Sequence, residues 1–121
     1  MDAKQFLGQL IDVPGVSGYE DKVSKLIMDA FEPYCDEVYR DTFYNVYGKK
    51  LGNKSGHGPK VMLAAHLDEI GLMVKDIDDK GFISFTNIGG VDQRILLSQE
   101  VYIHGKEKLF GVIGAKPPHL Q

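Results

Sequence analysis

The sequence predicts an α/β unit followed by a β-rich one, and three features of the 121-residue chain point there. Two stretches with helical spacing of apolar residues come first. A continuous apolar run follows at 61–65, and beyond Gly71 only short strand-like segments appear, with no helical period among them. The composition changes near Gly71, which divides the chain into 1–70 and 71–121.

The first helix is expected from Phe6, Leu7, Leu10 and Ile11, which share one helical side until Pro14-Gly15 stops the pattern. A second is signalled by Val23, Leu26, Ile27, Ala30 and Phe31, closed by Pro33. Ahead of it, Ser17-Gly18-Tyr19-Glu20 has the spacing of a capping box, with Ser17 accepting from the Glu20 amide and Glu20 reaching back. Ser17 could instead be read as a nucleophile. The elbow G-x-S-x-G requires glycine where Tyr19 stands, so capping is the better account.

From Asp36 the period shortens, and 37–43 and 45–51 read as strands rich in Val, Tyr, Thr and Phe. The stretch 52–59 is a polar, glycine-rich surface turn that does not match a phosphate-binding loop, and His57 inside it is read as solvated. The run 61–65 is expected to be a strand buried on both faces, as in a sheet covered by helices. Four short strands are then expected at 72–77, 82–88, 100–104 and 109–115, forming a small barrel or sandwich. Gly89-Gly90 suits a tight turn. His104 at a strand end and His119 after Pro117-Pro118 are read as structural or exposed.

Composition excludes several classes of function. The net charge of −3 leaves no basic footprint for nucleic acid. No apolar stretch is long enough to span a bilayer, and the N-terminal residues show no secretory h-region. Cys35 is the only cysteine, so no internal disulfide forms, which favours a reducing, cytoplasmic setting.

The chemistry is concentrated in Ala64-Ala65-His66-Leu67-Asp68-Glu69-Ile70-Gly71, at the end of the apolar run, where ligands gather in open α/β sheets. Side chains two apart on a strand share a face, so His66 and Asp68 point the same way. A neutral imidazole suits zinc or a similar ion, and a carboxylate beside it holds the tautomer. A packed, hydrogen-bonded histidine satisfies the same spacing. Adjacent Asp68 and Glu69 invite a glycosidase reading, but strand neighbours point to opposite faces, whereas that chemistry needs carboxylates facing each other.

AAHLDEIGLMV, then GFISFTNIGGVD, then VYIHGKEKLFGVIGAKPPHL resembles the metallo-aminopeptidase family of glutamyl, deblocking and tetrahedral (TET) aminopeptidases. PGVSGYED resembles the start of these enzymes, so the likeness runs from about Phe6 to the last residue. It implies the N-terminal part of a di-metal exopeptidase-type α/β catalytic domain, then the start of an inserted all-β, barrel-like domain used for oligomerisation. It also implies two divalent ions, zinc or cobalt, with His66 a terminal metal ligand and the catalytic residue Asp68 orienting it. Gly71 would begin the crossing into the inserted domain. The remaining ligands and a general-base Glu would lie beyond Gln121, so metal binding is incomplete and the chain alone is expected to be inactive.

One departure stands out. Tyr44 occupies a position where relatives carry glycine before Asn45, so a different local hairpin is expected. The implied function is removal of N-terminal residues from peptides, by a homo-oligomer assembled through its β domain. A non-catalytic binding or assembly module and a cellulase-type glycoside hydrolase are the alternatives.

Overall fold

The computed structural model describes residues 2–53 and 58–115. His57, His119 and Pro117-Pro118 therefore lie outside the described residues. The chain divides into two compact units, Met1–Gly89 and Gly90–Gln121, each with its own strands.

Helix α1 spans Ala3–Asp12, and the Asp2 side chain caps it by accepting from the Lys4 amide at 3.2 Å. It ends where Val13 turns extended, the conformation Pro14 forces on its predecessor. Helix α2 spans Asp21–Phe31 and carries the buried Val23 and Ser24. The capping box is corrected at its start, because no side chain caps α2 and Glu20 occupies the N-cap position. Gly18, at φ +89°, turns the chain so that the Tyr19 amide bonds the Val16 carbonyl at 2.8 Å, and Glu20 accepts instead from the Gly18 amide at 2.8 Å. That turn frees the Ser17 hydroxyl for another partner.

Strands β1 (Glu37–Arg40) and β2 (Val46–Lys49) pair antiparallel, with Tyr39 opposite Tyr47 and their rings stacked at 4.8 Å. Helix α2 packs on this hairpin and gives the unit its α/β character. Gly48 makes the approach possible, since a Cβ there would stand 2.6 Å from the Phe31 ring and 2.8 Å from Cys35 Sγ. Arg40 ties the two layers, with Nη1 donating to Asp21 Oδ1 at 2.7 Å and to Ser24 Oγ at 2.9 Å.

The hairpin turn keeps the left-handed residue that a glycine would supply, because Tyr44 sits at φ +64°. A non-glycine residue there costs about 1–2 kcal/mol. The turn is held by Asp41, which accepts from the Phe43 and Asn45 amides at 2.9 Å each and from Asn45 Nδ2 at 2.8 Å. The Tyr44 ring also lies under the Arg40 guanidinium, 4.8 Å from its centroid. The turn therefore accommodates a bulky residue at a left-handed position. Asp41 and Arg40 hold Tyr44 in place.

Strands β3 (Gly71–Ile77) and β4 (Ile83–Ile88) form a second antiparallel pair, with a register irregularity between Val74 and Asp76. Their turn is built by Asp78, which accepts from the Lys80 and Phe82 amides, and by Gly81 at φ +82°. Gly89, at φ +76°, ends this unit in the glycine turn the sequence suggests.

The run 61–65 is not the doubly buried strand that its apolar sequence predicts. It belongs to no strand among the described residues, and Val61, Met62 and Leu63 are 80, 86 and 94 % exposed instead of buried on both faces. A strand exists only through its ladder partners. Here the nearest pairing is a single parallel bridge, Val16 to Glu69, just beyond the run.

In the second unit a 3₁₀ turn, Gln93–Ile95, appears where no helix is signalled, capped by Asp92 accepting from the Arg94 amide at 3.0 Å. Strands β5 (Glu100–His104) and β6 (Lys108–Val112) pair antiparallel, Tyr102 meeting Phe110 edge-on at 6.1 Å. His104 is exposed at the end of β5. The strands expected after Gly71 are present as separate two-stranded pairs among the described residues.

Candidate metal centre

The chain from His66 to Glu69 runs alongside the loop Gly15-Val16-Ser17, and a short ladder stitches the two. The Glu69 amide donates to the Gly15 carbonyl at 2.8 Å, and the Ser17 amide donates to the Glu69 carbonyl at 3.4 Å. The Glu69 side chain completes the clamp by accepting from the Gly15 amide through Oε1 at 2.9 Å. Two glycines permit this approach. A Cβ on Gly15 would stand 2.9 Å from Val23 Cγ1, and one on Gly71 2.6 Å from Val16 Cγ2.

Within this frame the structure brings His66 and Asp68 together, as their alternate spacing predicts. His66 Nδ1 lies 3.2 Å from Asp68 Oδ1 and 3.0 Å from the Asp68 carbonyl oxygen. Both partners accept, so the neutral ring meets them with its proton on Nδ1, and the lone pair falls on Nε2. The His66 side chain is 86 % exposed, which leaves the ring open to an external ligand.

Asp68 is held from the other side as well. Ser17 Oγ donates to Asp68 Oδ2 at 2.5 Å, so the two carboxylate oxygens serve different partners. The Ser17 hydroxyl first, and then the His66 ring, hold the Asp68 carboxyl below its ordinary value by bonding its charged form. Asp68 is therefore an ionised acceptor at neutral pH, the state needed to orient an imidazole.

His66 and Asp68 stand out in the sequence, whereas the contacts of Ser17 and Glu69 arise only in the fold. The partners lie 51 and 54 residues apart, so no local spacing could join them. The only signal was that PGVSGYED and AAHLDEIG both belong to the family resemblance. Glu69 and Asp68 are engaged in different directions, one on the Gly15 amide and the other on Ser17 and His66. They do not form the facing pair that glycoside hydrolysis requires.

The residues present fit a divalent ion as one contributor to its site. An imidazole with Nδ1 held by a carboxylate presents Nε2 in the form that ligates zinc-like ions. Among the described residues no group of three His, Cys, Asp or Glu gathers that could complete the coordination.

A family model described as M42 glutamyl aminopeptidase matches residues 45–121. The lysyl aminopeptidase of Pyrococcus furiosus is 40 % identical over 119 residues, which is 97 % of this chain and 33 % of that protein. Among solved structures, aminopeptidase APDkam598 from Desulfurococcus kamchatkensis superposes with a TM-score of 0.87 at 38 % identity, over 97 % of this chain and 32 % of that one. The TET1 peptidase of Pyrococcus horikoshii, described as assembling into a tetrahedron or a large octahedral shell, superposes with a TM-score of 0.76 at 34 % identity, over 98 % of this chain and 35 % of that one. The chain thus spans about a third of the length of the relatives it matches.

Proposed function

Because this chain belongs to the M42 glutamyl aminopeptidase family, we propose that it supplies part of a metal-dependent aminopeptidase site, with His66 as a metal ligand and Asp68 as the carboxylate that orients it. The observation that carries this reading is the His66–Asp68 contact, which favours the tautomer with its proton on Nδ1 and its lone pair on Nε2. Two divalent ions, zinc or cobalt, are the cofactors proposed for the whole enzyme. When bound, they supply the Lewis acidity that activates water and polarises a scissile carbonyl.

This chain's own residues perform the preparatory work. Asp68 keeps the His66 ring in one tautomer and one orientation, and ligand basicity rises through its negative charge. The Gly15–Glu69 clamp keeps the backbone beneath both residues from shifting. The substrates proposed are peptides with a free N-terminus. A cytoplasmic setting belongs to the same proposal.

A β-rich domain beginning near Gly71, barrel-like when complete and used for homo-oligomerisation, belongs to the same proposal. Its support is the pair of antiparallel hairpins β3–β4 and β5–β6, together with the assemblies of the TET1 peptidase. Among the described residues no helix is long and apolar enough to cross a membrane.

The test is His66→Ala in the protein expressed from its complete reading frame, assayed on aminoacyl anilides with metal content measured in parallel. Loss of a ligand empties or distorts the site, so turnover should be abolished while the circular dichroism spectrum is retained. Turnover near that of the parent protein would refute the assignment, and activity on cellulose without aminopeptidase activity would select the glycosidase alternative.

A further inference from the structure

The Ser17 hydroxyl caps nothing on α2, although it stands four residues ahead of that helix. Its one described partner is Asp68 Oδ2, 2.5 Å away. Asp68 Oδ1 in turn faces His66 Nδ1 at 3.2 Å. We propose that Ser17 is a positioning residue for the metal ligand, a hydroxyl that pins one oxygen of Asp68 so that the other holds His66 with Nε2 free for a divalent cation. The inference rests on His66 being a ligand, and it adds a residue 49 positions upstream of it in sequence.

The geometry supports this role in three ways. A carboxylate with one partner can swing about its terminal torsion, which is broad and roughly two-fold. A donor on each side removes that freedom, because rotating Asp68 breaks both bonds together. Ser17 is itself immobilised, its amide bonding the Glu69 carbonyl at 3.4 Å and the neighbouring Gly15 being clamped by Glu69 from backbone and side chain. Finally, hydroxyl, carboxylate and imidazole are ordered donor to acceptor to donor. Ser17 O–H and His66 Nδ1–H both give to Asp68, and no other arrangement satisfies a charged carboxylate between them. The clamp thus conveys the placement of the N-terminal loop to the ring nitrogen that would meet the metal.

The experiment uses Ser17→Ala, Ser17→Thr and His66→Ala in the protein expressed from its complete reading frame. Two quantities are read: zinc affinity by competition with a chromophoric chelator, and the His66 tautomer by nitrogen NMR of the metal-free protein at a pH where the ring is neutral. Ser17→Ala should weaken zinc binding about tenfold, the lower end of losses seen when an outer partner of a metal-bound histidine is removed. The tautomer should shift from Nδ1–H alone to a mixture. Ser17→Thr keeps the hydroxyl and should restore both quantities. An unchanged tautomer and affinity in Ser17→Ala, with His66→Ala losing zinc, overturns the positioning role and leaves the ligand assignment standing. A Thr variant as impaired as the Ala variant overturns it too, since packing and not the hydroxyl would then matter. Full zinc affinity in His66→Ala overturns the ligand assignment and this inference with it.

Discussion

Gly71→Ala tests whether the loop that carries Ser17 is held by close packing. The added Cβ would stand 2.6 Å from Val16 Cγ2, 2.8 Å from Val16 Cγ1 and 3.3 Å from Val16 Cβ. Rotating Val16 exchanges one methyl for the other and leaves its Cβ in place. Restoring ordinary contact, about 3.5–4.0 Å between carbons, therefore requires the loop to withdraw by about 1 Å. Overpacking of this kind costs ~1–3 kcal/mol. Gly71 lies in β3 with no positive φ, so alanine recovers ~0.4–1 kcal/mol from the stiffer unfolded chain. The net destabilisation should be about 1–2 kcal/mol.

Val16→Ala removes both clashing methyls. Alone it should cost about 1 kcal/mol, since Val16 is only half-buried and a fully buried methylene is worth ~0.8 kcal/mol. The double variant should be more stable than the sum of the singles by about 1–2 kcal/mol, a coupling expected of residues in direct contact. Urea unfolding of all four proteins, followed by circular dichroism at equal concentration, measures the cycle. Additive effects, or a Gly71→Ala variant as stable as the parent, would refute the packing argument.

Asp68→Asn should lower zinc affinity by about ten- to a hundredfold, because the neutral amide removes the charge and can turn its donor toward His66, and chelator competition reads the loss. Asp41, whose carboxyl is held below its ordinary value chiefly by the Asn45 side chain, contributes to hairpin stability above the ordinary aspartate range. That contribution is lost as pH falls through the lowered folded value. Amide shifts of Phe43 and Asn45 should therefore titrate together below the ordinary aspartate midpoint, and a midpoint at or above it would contradict the turn's design. The 121-residue chain should self-associate through its bare apolar run, and Leu63→Glu should shift light scattering toward monomer; a monodisperse monomer of the parent chain would refute this.

Local chemistry was readable where a signal and its effect are neighbours. Both helices, the β1–β2 hairpin, strands β3 to β6 and the glycine turn at Gly89 follow from periodicity and punctuation. His66 and Asp68, two residues apart, meet side chain to side chain as their spacing suggests, although neither lies in a strand. Ser17 shows the converse: its spacing to Glu20 fits a local cap, yet its hydroxyl donates to Asp68, 51 residues along the chain.

By itself, then, the sequence determined the elements, the pairing of His66 with Asp68 and the family resemblance carried by its motifs. Tertiary structure alone decided that Ser17 and Glu69 clamp that pair, that Tyr44 tolerates a left-handed turn under Arg40, and that 61–65 lies exposed. Periodicity states which side of an element is apolar. Whether that side is covered, and which distant hydroxyl meets a carboxylate, depends on partners that only the folded chain brings within hydrogen-bonding distance.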